Sequence, residues 1–138
     1  AFDPEWHTTR PMREIGHVTA AEVNSAQKLM KDYMLKNGIP GKRHLVFHQF
    51  NPKMLRDKEQ VSAKFDPVIL VHATSGWGPP GNKMSTHERN SLTVNIPDKG
   101  FKLWYYYSSK KGVHYDKPLM TPEQVLSLRP EPGLIIYQ

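Results

Sequence analysis

The chain has 138 residues, with no Cys, 19 Lys+Arg and 13 Asp+Glu, and its formal net charge is +6. This length predicts a single domain, residues 1–138, with a hydrophobic core. The lack of cysteine excludes disulfides, thiol nucleophiles and cysteine-based metal centres. The apolar runs are too short to span a membrane, and 38% hydrophobic residues exclude a disordered chain.

The first predicted element is the tail of a strand at Ala1-Phe2, and a long helix follows it. Thr19-Ala-Ala-Glu22 has the pattern of a capping box, in which the two side chains satisfy free amides of the first turn. Apolar residues then recur at helical spacing, and Asn37-Gly38 predicts the end of the helix.

Four later segments are rich in β-branched or aromatic residues and are bounded by turn residues, so we predict strands there: His44–Phe50, Val68–Ala73, Phe101–Tyr107 and Leu134–Gln138. Helices are predicted between them, from Asn51 toward Phe65, at Lys83–Leu92 and at Thr121–Leu128. Strands that alternate with helices predict an α/β fold built of parallel βα units.

Two carboxylates follow the first strand tail. Asp3 and Glu5 leave it on the same side, because side chains two residues apart share a face of a strand. A pair of carboxylates at a strand end is what acid/base hydrolysis of a glycosidic bond needs. The alternative is an Asp-Pro turn that is simply solvated.

Histidines occur near the ends of the next two predicted strands. His48, beside Gln49, and His72 could each act in acid/base chemistry or bind a substrate hydroxyl. They could equally be buried residues with satisfied hydrogen bonds. The seven His residues contain no HExxH pattern and no pair at ligand spacing on one helix, so we expect no metal site.

The loop that begins at Thr74 contains Trp77 between two glycines. This tryptophan could stack on a sugar ring or plug the end of a barrel. On the third long strand, Lys102 and Tyr106 share a face, where Lys102 would need a carboxylate partner such as Asp3. An edge strand with its lysine in solvent is the alternative.

The sequence contains no motif that indicates a cofactor or a nucleic-acid partner. There is no phosphate loop, dinucleotide fingerprint or Gly-x-Ser-x-Gly elbow, so we expect no cofactor. Basic residues are scattered, with adjacent pairs only at Lys42-Arg43 and Lys110-Lys111. Because no basic stripe alternates with aromatic residues, nucleic acid is not an expected partner.

The order of motifs resembles a group of bacterial TIM-barrel proteins, glycosidase-like in architecture and mostly secreted or lipoprotein-like. The matching segments are DPEW, IGHVTAAEVN, LVFHQFNPKML, VILVHATSGWG, GFKLWYY, PLMTPEQVL and LIIYQ. The resemblance implies that the chain corresponds to strands 4–8, the C-terminal half, of a (β/α)8 barrel. It also implies a secreted or surface location. One departure is that His72-Ala-Thr-Ser-Gly76 lacks an Asp that the family pattern has there.

Two functions follow from these residues and this resemblance. The first is a glycan-directed hydrolase with Asp3 and Glu5 as the catalytic carboxylates. The residues expected to bind its substrate are His48, Gln49, His72, Trp77, Lys102 and Tyr106. The second is a non-catalytic binding or structural module on a cell or virion surface, derived from such a barrel. In either case half a barrel would leave unpaired strand edges. We therefore expect self-association or pairing with a complementary N-terminal half.

Overall fold

A computed structural model gives the three-dimensional structure and describes residues 1–93, 95–107 and 112–138. The basic pair Lys110-Lys111 lies outside the described residues. The elements of the described part, in chain order, are β1 Val18–Thr19, α1 Ala20–Lys36, β2 Arg43–His48, β3 Leu55–Arg56, β4 Val68–Ala73, α2 Pro80–Ser91, β5 Asp98–Leu103, α3 Pro122–Leu126 and β6 Leu134–Tyr137. Short 3₁₀ helices occupy Pro4–Trp6, Pro52–Met54 and Lys58–Gln60.

The main sheet is parallel, with its strands side by side in the order β2, β4, β5 and β6. Phe2 extends this sheet at the free edge of β2. Its N–H donates to the Val46 carbonyl at 2.7 Å, and its carbonyl accepts from the His48 N–H at 3.0 Å. The sheet curls into half a barrel, so the prediction of an α/β fold with parallel strands is confirmed.

The two faces of the sheet have different surroundings. Leu45, Phe47 and Leu70 point to the outer face, where they pack with α1 residues such as Val23. Phe101 on β5 packs on the same outer side with residues around α3. The opposite, concave face carries alternate residues of the same strands, and these include the side chains that form the candidate site.

The helix predicted from Asn51 toward Phe65 is wrong. Asp57 adopts a left-handed backbone conformation with φ of 52°, which interrupts any helix there. Leu55 and Arg56 instead pair in parallel with Val18 and Thr19, and Leu55 is buried in the core. Tertiary burial of Leu55 therefore determines the local structure of this segment.

The other predicted elements are confirmed with shifted ends. Both capping boxes are present, at Thr19 with Glu22 and at Thr121 with Gln124. The α2 helix begins at Pro80, before the predicted start. Strand β5 covers Asp98–Leu103 rather than extending to Tyr107, because the Trp104 N–H donates to a side chain instead of to a neighbouring strand.

Among the described residues, no helix has both the length and the apolar character needed to cross a membrane. Pairing of the half-barrel with a second copy or with an N-terminal half stays a prediction.

Candidate functional site

The carboxyl ends of the parallel strands bring charged side chains together on the concave side. Asp3, just after the Phe2 bridge, lies 3.2 Å from Nδ1 of His48 at the end of β2. Nζ of Lys102, on β5, lies 3.7 Å from Oδ1 of Asp3. Residues from the ends of three parallel strands thus form one cluster, and Asp3 lies where an inward-facing Lys102 would need a carboxylate partner.

The ring of His48 lies between two hydrogen-bond acceptors. Its Nε2 is 2.9 Å from the Ser75 carbonyl, which can only accept, so Nε2 carries a hydrogen. Its Nδ1 faces the Asp3 carboxyl group. Burial lowers the pKa of His48, and Lys102 lowers it further. The Ser75 carbonyl and Asp3 act on this pKa in the opposite direction.

Glu5 has an unpaired oxygen beside this cluster. Its Oε1 is 3.9 Å from Nδ1 of His48. Its Oε2 is buried and has no hydrogen-bond partner among the described residues. Burial raises the pKa of Glu5, and the charge of Asp3 raises it further, although its backbone amide and Lys102 act in the opposite direction. Glu5 is thus the group of this cluster best suited to donate a proton.

An aromatic pocket of about 180 Å³ adjoins Glu5. Its walls are Glu5, His48, Phe50, Trp77 and Trp104, together with Gly76. In addition to Glu5 Oε2, the indole Nε1 of Trp104 is buried without a partner among the described residues. This pocket, called the aromatic pocket below, therefore has flat aromatic walls, and two of the residues that line it, Glu5 and Trp104, each carry a buried polar atom without a partner among the described residues.

Two larger grooves flank the aromatic pocket. One, of about 590 Å³, shares Glu5, Phe50, Trp77 and Trp104 with it. Asp3 lines the other groove, of about 460 Å³, which runs along the start of α1. The two carboxylates thus border different cavities, although their nearest ligand atoms lie within 4.8 Å of each other.

A second charged pair lies beneath the aromatic pocket. Lys83 of α2 and Asp116 are 3.0 Å apart, and both side chains are fully buried. Sequence reasoning missed Asp116, because a single acidic residue in an irregular stretch gives no signal of its partner. Lys83 was named only as the first residue of a predicted helix. A lysine at an otherwise buried helical position was the one available signal of a buried pair.

Three candidate residues lie away from the aromatic pocket. His72 is fully buried on the outer side of β4, where its ring lies 5.4 Å from that of Phe47. Its Nε2 is 2.7 Å from Oε1 of Gln49, which is also buried. Tyr106 lies beyond the end of β5, is mostly exposed, and contacts Tyr115. The structure therefore brings together Asp3, Glu5, His48, Trp77 and Lys102, but not these three.

Asp3, Glu5 and His48 each offer one ligand atom that could hold a metal ion. The ammonium of Lys102, 3.7 Å from Asp3, would repel a cation bound there. The expectation of no metal site stays a prediction.

Comparison of the chain with models of known protein families, with curated proteins and with solved structures found no match. The resemblance to bacterial TIM-barrel proteins therefore stays a prediction from the sequence motifs.

Proposed function

We propose that this chain binds a carbohydrate in the aromatic pocket and hydrolyses a glycosidic bond there. One observation carries the proposal: Glu5, Trp77 and Trp104 line one pocket. Glu5 Oε2 and Trp104 Nε1 are buried and have no hydrogen-bond partner among the described residues. A sugar ring presents a C–H face that stacks on indole and hydroxyl groups that need polar partners. The pocket offers both kinds of contact.

In this proposal Glu5 is the general acid. Its raised pKa keeps the carboxyl group protonated at a higher pH than is usual for glutamate, so it can give its proton to the leaving oxygen. Asp3 is the second carboxylate and attacks the anomeric carbon as the bond to the leaving group breaks. A water molecule, which gives its proton to Glu5, then attacks the same carbon, so that the bond to Asp3 breaks and the sugar is released. The spacing of at most 4.8 Å between ligand atoms is nearer to the roughly 5 Å of retaining enzymes than to the wider inverting pairs.

The same proposal assigns supporting roles to His48 and Lys102. Both contact Asp3, at 3.2 and 3.7 Å, and so fix the position of its carboxyl group. The larger groove that shares Glu5 and both tryptophans with the pocket would take the leaving group, since the acid must lie between the two parts of the substrate. We further propose that Phe2 and the four long strands correspond to strands 4–8 of an eight-stranded barrel.

Carboxylate variants test the hydrolase. Asp3→Asn and Glu5→Gln are each expected to lower turnover by roughly a hundredfold or more, with nearly unchanged melting temperature. The matched controls are Asp32→Asn and Glu88→Gln, two exposed acids far from the pocket, which should keep full activity. A panel of nitrophenyl glycosides and oligosaccharides supplies the substrates. Full activity in both site variants would reject the assignment.

A non-catalytic carbohydrate-binding module is the second candidate. It is favoured by the fact that Asp3 borders a different groove and is already engaged by His48 and Lys102. In this case Trp77→Ala should weaken glycan binding, measured on a glycan array and by calorimetry, while Asp3→Asn and Glu5→Gln leave it unchanged. An array with no binding above background contradicts this candidate.

A further inference from the structure

The ammonium group of Lys83 is fully buried and uses every hydrogen-bond donor that it has. It donates to the Gly76 carbonyl at 2.7 Å, to the Lys102 carbonyl at 2.8 Å and to Oδ2 of Asp116 at 3.0 Å. It also lies 4.9 Å from the centre of the Phe101 ring. One ammonium group is thus hydrogen-bonded to the loop after β4, to the end of β5 and to the segment around Asp116.

The carboxylate of Asp116 also accepts hydrogen bonds from the loop after β4 and from the residue that follows β5. Its Oδ1 accepts from the Gly78 N–H at 2.9 Å, and its Oδ2 accepts from the Trp104 N–H at 3.0 Å. The residues on either side of Trp77 are therefore both fixed to this pair, one through Gly76 and one through Gly78. Trp104 is fixed through its own amide.

The chain around Asp116 also supports Trp77 directly. His114 lies two residues before Asp116, and its ring is parallel to that of Trp77 with centres 4.1 Å apart. Stability alone does not explain a charged pair here, because well-packed apolar residues generally stabilise a protein at least as well as a buried ion pair. The pair does supply directional hydrogen bonds that fix the backbone beside two aromatic side chains.

We propose that Lys83 and Asp116 are positioning residues, which hold Trp77 and Trp104 at a fixed separation as preformed walls of the aromatic pocket. A ligand then binds without having to order these side chains, which strengthens its binding. The carbohydrate nature of that ligand rests on the proposed function. The positioning itself does not depend on it.

The test replaces both charges at once, so that neither is left buried without its partner. The variant is Lys83→Met with Asp116→Asn. The control is Lys28→Met with Asp32→Asn, an exposed Lys–Asp pair with the same chemistry. Both doubles are made in a protein where Trp77 is the sole tryptophan, and the anisotropy of its fluorescence is measured. We expect lower anisotropy in the first double and no change in the control.

Ligand binding provides a second measurement, on the protein with all of its tryptophans. For a glycoside that the unaltered protein hydrolyses, the Lys83/Asp116 double should raise KM by about tenfold while kcat changes little. Unchanged anisotropy overturns the proposal, and so does an unchanged KM. If no glycoside is hydrolysed by the unaltered protein, the proposed function fails, while the anisotropy still decides the positioning role.

Hydrogen exchange of the unaltered protein keeps the proposal testable if the double variant does not fold. The amides of Gly78 and Trp104 should exchange as slowly as that of Val71 inside the sheet, since each donates to a buried carboxylate. Exchange of both amides as fast as that of exposed Gly112 would overturn the proposal.

Discussion

Lys99 gives the sharpest quantitative prediction, because it is a buried lysine that has no ion-pair partner in the described part of the chain. Only 5% of it is exposed, and its Nζ donates to the Thr93 carbonyl at 2.9 Å. It lies opposite His72 in the strand register, on the helix-covered side of the sheet. Lys102 on the same strand faces the concave side. Replacing Lys99 with Met therefore tests burial of charge without touching the candidate site.

The magnitude follows from the pKa of Lys99, which burial lowers from 10.5 to about 8, although Asp98 acts in the opposite direction. Below about pH 8 both the folded and the unfolded chain hold the proton. Between about pH 8 and about pH 10.5 only the unfolded chain holds it, so stability rises with pH. A difference of about 2.5 in pKa corresponds to ~3.4 kcal/mol, at 1.36 kcal/mol for each unit.

Lys99→Met removes this cost and also removes the hydrogen bond to Thr93, which is worth roughly 1 kcal/mol. At about pH 7 the variant should be more stable than the unaltered protein by about 2 kcal/mol, and above about pH 10.5 it should be less stable by about 1 kcal/mol. The assay is urea unfolding at several pH values. Subtracting the two proteins cancels the titrations that Lys99 does not affect. The charge of Lys99 contributes to lowering the pKa of His72 and of His87, so their titration lies below this pH range.

Lys36→Met, on the exposed side of α1, is the control. Its free energy of unfolding should differ little from that of the unaltered protein, by an amount that does not vary with pH. The reasoning is refuted if the free energies of unfolding of the unaltered protein and of Lys99→Met differ by the same amount from about pH 7 to about pH 10.5.

Two further predictions concern the candidate site. The rate of hydrolysis should fall as pH rises through the raised pKa of Glu5. Lys102→Met should move this fall to higher pH, because Lys102 lowers the pKa of Glu5. Profiles of rate against pH measure the shift, and a fall at the same or at a lower pH contradicts the prediction. Gly16→Ala should lower the free energy of unfolding, measured in urea, by roughly 1–3 kcal/mol. The reason is that its new Cβ would lie 2.6 Å from the His7 carbonyl oxygen and closer still to that of Pro4. Gly81→Ala, in open space within α2, is the control and should be neutral or stabilising; equal effects of the two substitutions would contradict the crowding.

The local elements of the fold could be predicted from the sequence because their determinants are close together in the chain. Each capping box joins residues three apart, such as Thr19 and Glu22, and its hydrogen bonds form within one helical turn. The parallel strands could be predicted because their apolar runs alternate with helical segments. The segment after Asn51 could not, since the burial of Leu55 depends on pairing with β1, far away in the chain.

Some features of the candidate site could likewise be predicted from the sequence and others could not. A carboxylate partner for Lys102, Asp3 or Glu5, was one of two alternatives that the sequence left open, because parallel strands place their carboxyl ends at one edge of the sheet. The position of His72 on the outer face and of His48 on the concave face could not be predicted, since it depends on the strand register and on which face the helices cover. Likewise, Gly78 and Asp116 are 38 residues apart, and no local pattern connects them.

The sequence by itself determined the capped helices, the parallel strands and the identity of the charged residues at the strand ends. Those features depend on hydrogen bonds and apolar spacing within a few residues. Only the tertiary structure decided that Glu5 keeps a buried oxygen without a partner among residues 1–93, 95–107 and 112–138, and that Lys83 and Asp116 bond the backbone next to both tryptophans. Burial and long-range contacts set these features, because the free energy of a buried polar group depends on which distant residue reaches it.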